Sequence, residues 1–162
     1  MRNADALLFG LAILILAAVV RSEPVTRPAT QPARLVNVDK HGVAVQGYDP
    51  VAYFTQNKAV KGQPAIAATH DGAIYHFANE QHKRLFLEAP ESYVPAYGGF
   101  CGYGVATDHL APVKPECFQI VSGRLILQYN RDAMKLFSKD LERSVAAADA
   151  NWPNLVAEHG RR

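Results

Sequence analysis

Cys101 and two histidines, His76 and His82, are the side chains in this sequence best suited to chemistry, and they fall within one stretch, Tyr75 to Tyr103. Thiolate and imidazole are the donors that soft and borderline transition metals prefer, and Gly98-Gly99 and Gly102 beside Cys101 leave backbone room around its sulfur. Asp49, ahead of Pro50 and between Tyr48 and Tyr53, adds a carboxylate that could reach a metal, although an Asp-Pro pair is also an ordinary turn-former. Each of these residues has a plain structural reading as well. Cys101 could be a buried thiol, half of a disulfide with Cys117, or a ligand or reactive thiol. His82 and His76 could be hydrogen-bonded histidines with no ligand. His41, His70 and His109 lie in turn-like segments and read as surface residues.

The elements that must position these residues are short. Ala65 to Thr69 and Ala73 to Phe77 flank His70-Asp71-Gly72, and Asp-Gly is a strong hairpin signal because both residues tolerate positive φ. Alternation puts Ala73, Tyr75 and Phe77 on one face of the second strand and Ile74 and His76 on the other. Asn79 is an N-cap for a helix from Glu80 to about Glu88, which sets His82 one turn before Phe86. Cys117 to Val121 and Arg124 to Tyr129 predict a second hairpin around Ser122-Gly123. Asn130 then caps a helix whose stripe runs Met134, Phe137, Leu141, Val145, Ala148, with an end at Asn151-Trp152-Pro153. Before the first hairpin, Val43 to Val45 predicts a short strand and Val51 to Phe54 a helical turn or strand. No internal repeat beyond the two hairpins is evident. The predicted class is α+β, small antiparallel hairpins packed with helices.

With 162 residues the chain has room for one domain with a sizeable core, and a net charge of +2 gives no electrostatic basis for nucleic-acid binding. Arg2 and the apolar run from Ala6 to Val20 suit a signal peptide and fall short of the roughly 20 residues needed to span a bilayer. Residues 1–22 are thus expected to be a signal peptide or an uncleaved membrane anchor, the only contact with a membrane. Residues 23–34, with Pro24, Pro28 and Pro32, form a linker, 35–155 the domain and 156–162 a tail. The expected location is periplasmic or secreted. In that oxidising setting, Cys101 and Cys117 make an even pair that favours a disulfide. There is no C-x-x-C, H-E-x-x-H, G-x-S-x-G, dinucleotide fingerprint or P-loop, so the common zinc-ribbon, protease, hydrolase and nucleotide-binding readings fall away.

Gly47-Tyr48-Asp49-Pro50-Val51-Ala52-Tyr53-Phe54, Asp71-Gly72-Ala73-Ile74-Tyr75-His76-Phe77-Ala78, Phe86-Leu87 with Pro90 to Tyr93, Tyr97-Gly98-Gly99-Phe100-Cys101, Val121 to Leu125 and Ala148 to Pro153 together resemble the YHS domain family in an exported form. The resemblance covers Asn37 to about Leu155. It implies relatedness to treble-clef metal binders that accompany heavy-metal transport. Ala52 and Ala78 stand where short YHS modules carry thiolates, His82 occupies a third thiolate position, and Cys117 replaces an expected aromatic. The resulting expectation is a non-enzymatic protein with an open site for a transition metal, copper or zinc. Cys101 and His82 would be its main ligands, with His76, Asp49 or a nearby tyrosine completing it, and a metal-transport or metalloenzyme partner exchanging the ion. A structural or interaction module with a decayed metal site is the alternative.

Overall fold

Two short antiparallel hairpins, each followed by an Asn-capped helix, organise the chain in the computed structural model, which describes residues 34–160. The expected signal peptide and most of the Pro-rich linker lie outside the described residues. Strand β1 (Gln63–His70) pairs with β2 (Ala73–Phe77), and β3 (Lys114–Val121) with β4 (Arg124–Gln128). The turns are Asp71-Gly72 and Ser122-Gly123, with φ of 53° and 76° in one and 49° and 75° in the other. Positive φ at both central residues gives the turn twist that matches paired strands. In α2 (Glu80–Glu88) and α4 (Arg131–Lys139), the Asn79 and Asn130 side chains accept the backbone N–H of His82 and Ala133. Helices α1 (Pro50–Gln56) and α3 (Gly102–Ala106) precede the hairpins, and α5 (Leu141–His159) closes the chain. The α+β class is therefore observed.

The likeness between the halves runs deeper than the hairpins. Val45, Gln46 and Gly47 have φ of 51°, 51° and 76°, and Tyr97, Gly98 and Gly99 have 54°, 56° and 79°. Each of these left-handed turns leads into a buried side chain at a helix start, Asp49 in one half and Cys101 in the other. The backbone N–H of Asp49 donates to Val60 O at 2.8 Å, and that of Cys101 to Ala111 O at 3.1 Å. Both long strands carry a register shift at the same place, between Gln63 and Ala67 and between Lys114 and Phe118. Phe86 and Phe137, matched in the two capped helices, are 1% and 0% exposed. The described residues thus contain a tandem repeat, of which only the two hairpins are evident from sequence.

Burial holds the repeats together. Tyr53, Tyr75, Phe77 and Phe86 form a core with Leu125 and Leu127 of the second hairpin, so β4 contributes to both halves. Ile126, Phe137 and Val105 face the other way, against Ala148 and Leu155 of α5. Burying each of these large side chains contributes on the order of 2 kcal/mol. Gly102 permits the close crossing of α3 over β4, because a Cβ there would lie 2.5 Å from Ile126 Cγ2.

Of the two alternatives for Val51 to Phe54 the helical one is observed: the segment lies in α1, whose N-cap Asp49 and N1 Pro50 are ideal helix starters. Other local expectations differ. Val43 to Val45 makes only isolated bridges, since the left-handed turn begins at Val45 and ends the extended run. The long C-terminal stripe is divided at Asp140, which leaves helical geometry at φ −141° and caps α5 through Arg143 N–H. Helix α5 then continues past Pro153 to His159, so residues 156–159 of the expected tail are helical. Packing of Trp152 against Tyr97 and Phe100 and burial of Leu155 hold that helix across the missing proline N–H.

Candidate functional site

Asp49 and Cys101 occupy the same position in the two repeats, and the chemistry around them diverges. Asp49 is fully buried, and its carboxylate accepts four hydrogen bonds. Oδ1 takes the Val51 and Ala52 N–H groups at 2.9 and 3.3 Å, as an N-cap does. Oδ2 takes the Ala78 N–H at 2.8 Å and the His82 ring at Nδ1, 2.6 Å away. His82 is 6% exposed, and its Nε2 meets Thr55 Oγ1 at 3.3 Å. Asp49, His82 and Thr55 thus stand in the order of a hydrolytic triad. The Thr55 hydroxyl, however, donates to Val51 O at 3.1 Å within its own helix, and neither of the two cavities described below reaches it. Both ring nitrogens and both carboxylate oxygens are already engaged, so this pair ties α1, β2 and α2 together.

In the second repeat the thiol of Cys101 replaces the carboxylate. Its Sγ accepts the Tyr129 N–H at 3.2 Å, the counterpart of the Ala78 bond to Asp49. The S–H donates to Gln128 Oε1 at 3.3 Å, and the same oxygen accepts the Tyr103 N–H at 3.1 Å. Gln128 is fully buried, and its Nε2 has no partner. Where the first repeat has His82, the second has Ala133. A cavity of about 260 Å³ opens there, lined by Cys101, Tyr103, His109, Tyr129 and Ala133. His109 is exposed, and its Nδ1 lies 3.2 Å from Thr107 Oγ1, which fixes the ring from one side.

The four residues expected to share a metal are distributed. Asp49 and His82 meet directly. Cys101 sits in the other repeat, and His76 lies on the half-buried face of β2, over Gly47 and Gly62. Among the described residues, the one group of three potential ligands within 4.8 Å of one another is His70, Asp71 and Glu91. That group is a surface ion cluster: Asp71 pairs with Arg34, and His70 Nε2 lies 3.1 Å from Glu91 Oε1. Cys101 and Cys117 are both free and buried, so of the three readings left open for Cys101 the disulfide is not the one observed. Cys101 is committed to Gln128 and Tyr129, while Cys117 lies on β3.

A larger hollow of about 400 Å³ lies between the N-terminal segment and α5, and its charges are matched. Arg124 forms two hydrogen bonds to Asp149, at 2.8 and 3.0 Å, and stacks over the Tyr97 ring. The Arg124 guanidinium holds the Asp149 carboxyl below its ordinary 3.8. Burial, with the Asp149 carboxylate as a smaller cause, pushes the Tyr97 phenol up to about 12. Burial alone accounts for most of the rise of Tyr75 to about 12.

Sequence reasoning did not single out Gln128, Thr55 or Tyr129, and it placed His109 on the surface without a role. Gln128 carried a readable signal: it is a polar residue that ends the apolar run Leu125 to Leu127, two positions before the cap Asn130. No family model, curated protein or solved structure matches the chain. No helix among the described residues is long and apolar enough to cross a membrane.

Proposed function

We propose that this chain is a non-enzymatic, YHS-like binding module of an extracytoplasmic space that holds a thiophilic transition metal, copper(I) foremost, at Cys101. The observation that carries the reading is that the Cys101 thiol and the His109 ring line one cavity, with Ala133 leaving space between elements where the first repeat places an imidazole. A thiolate with one imidazole suits copper(I) in low coordination, whereas a closed structural zinc site needs four ligands. His109 takes the nitrogen-donor part assigned above to His82, and Thr107 orients its ring as an outer partner does at metal sites. One bound ion and few protein ligands make an exchangeable site, consistent with transfer to a transport or metalloenzyme partner.

A second reading is favoured by the saturated Asp49–His82 pair: a structural or interaction module in which the metal chemistry of the fold has been replaced by internal hydrogen bonds. Competition titration of tag-free protein with copper(I) and zinc separates the two. The metal reading expects one copper(I) per chain, lost in Cys101→Ser, weakened in His109→Ala and unchanged in His76→Ala. No copper binding tighter than micromolar, or binding that survives Cys101→Ser, leaves the structural reading standing.

A further inference from the structure

We propose that His70, Asp71 and Glu91 form a metal site for a zinc(II)-type divalent ion, apart from Cys101 and at the edge of the 400 Å³ hollow that Asp71 and Glu91 line. One donor atom of each residue lies within 4.8 Å of the others. His70 Nε2 is 3.1 Å from Glu91 Oε1 and 3.6 Å from Asp71 Oδ2. Zinc bonds of about 2.0–2.2 Å put neighbouring donors of a tetrahedral site about 3.3–3.6 Å apart, so two edges already stand close to what an ion requires. The His70 ring meets Phe86 edge-on with centroids 5.9 Å apart, and core packing thus sets its direction. One imidazole with two carboxylates suits a borderline ion, whereas copper(I) prefers the thiolate. Arg34, which pairs with Asp71, supplies a positive charge there and must give way when the ion enters.

Two further observations set the cluster apart from an ordinary surface ion pair. Tyr75 lines the same hollow and is 2% exposed, with its ring against Phe86. The hydroxyls of the buried Tyr53 and Tyr97 donate to Pro115 O and Asp149 Oδ1, but that of Tyr75 has no hydrogen-bond partner among the described residues. Burial first, and the Glu91 carboxylate second, raise its phenol to about 12, so it keeps its proton and faces the acidic side of the hollow. Such a donor suits the water or anion that takes the fourth position of a three-ligand zinc. The second observation is the other repeat. Its turn has the same left-handed geometry at Ser122-Gly123 but carries Val121, Ser122 and Ile126 where the first has His70, Asp71 and Tyr75. Ile126 is fully buried and brings no polar group. The hairpin therefore folds without these donors, and folding alone does not account for them.

The experiment uses tag-free Cys101→Ser protein, so that zinc uptake here and copper(I) uptake at Cys101 succeed or fail separately. Zinc(II) is the only metal added, in competition with a chromophoric chelator. The expected result is one zinc per chain at micromolar affinity. His70→Val and Asp71→Ser install the residues of the other repeat's turn, so the hairpin is kept. Each weakens binding by about tenfold or more, as does Glu91→Gln. Tyr75→Phe keeps the ring, removes the donor and weakens binding by about tenfold, the loss expected for an outer partner at a metal site. His109→Ala leaves the affinity unchanged. Absence of zinc uptake below millimolar concentration overturns the proposal, and so does uptake that persists in both His70→Val and Glu91→Gln.

Discussion

The two repeats share a backbone and differ at its most buried polar point. In the first, a carboxylate collects four hydrogen bonds and an imidazole fills the space beside it. In the second, a thiol collects one backbone N–H, and an alanine leaves the same space open. The comparison teaches that one scaffold position can serve as a rivet or as a site, depending on whether its neighbour satisfies it. It also teaches that the rivet carries more of the local backbone than the site does, because three backbone N–H groups depend on the Asp49 carboxylate and one on the Cys101 sulfur.

The sharpest way to break that comparison is to remove both anchors. Asp49→Ala strands three buried N–H groups and His82, and is expected to cost about 3–5 kcal/mol in urea unfolding. Cys101→Ala loses only weak sulfur bonds and a small volume, and should cost about 1 kcal/mol. Equal costs would mean that the two positions play the same part. Ala133→His restores to the second repeat the imidazole that the first one has. If the open space is a ligand site, this variant folds and binds copper(I) about tenfold more tightly, a change of about 1.4 kcal/mol. Unchanged affinity would show that the position of His82 is not transferable.

Two pH effects distinguish the halves further. Tyr75 belongs to the first repeat and Tyr97 to the second, and both phenols are raised from 10 to about 12. A raised folded value means that the stabilisation is complete below pH 10 and is lost as pH rises toward about 12. Alkaline unfolding should therefore be steep in that window, and Tyr97→Phe should make it shallower. The Asp149 carboxyl is lowered, so its contribution is present above 3.8 and is lost as pH falls below that value. Arg124 and Asp149 are both partly exposed, which limits the effect to between a few tenths and about 1 kcal/mol. Arg124→Met should reduce this acid dependence, with the Tyr97 hydroxyl bond to Asp149 keeping a remainder, measured as the difference in thermal midpoint between neutral and acid pH.

Much of the architecture was legible in local chemistry. Asp71-Gly72, Ser122-Gly123 and the caps Asn79 and Asn130 predict their elements because each acts through its own backbone. The repeat was hidden because its two copies agree in backbone geometry and disagree in side chain: Asp49 against Cys101, His82 against Ala133, Phe77 against Gln128. Left-handed Val45 was not legible at all, since a β-branched residue at positive φ is strained and only tertiary packing holds it. At the candidate site, the residue types were readable and their grouping was not. His82 and Asp49 come together through a strand end and a helix cap, whereas Cys101 depends on a glutamine at the end of β4 in its own repeat.

The N-terminal segment crosses to the far repeat. Asn37 N–H donates to Gly98 O at 2.8 Å, its side chain donates to Gly99 O at 3.0 Å, and the Leu35 carbonyl lies so close to Gly98 that a Cβ there would clash with it. During synthesis the first repeat is therefore complete in sequence before the residues that receive its own leading segment have been made. Residues 35–37 must wait, unpaired, until the Tyr97-Gly98-Gly99 turn arrives, and the last contacts to close join the oldest part of the domain to one of its younger ones.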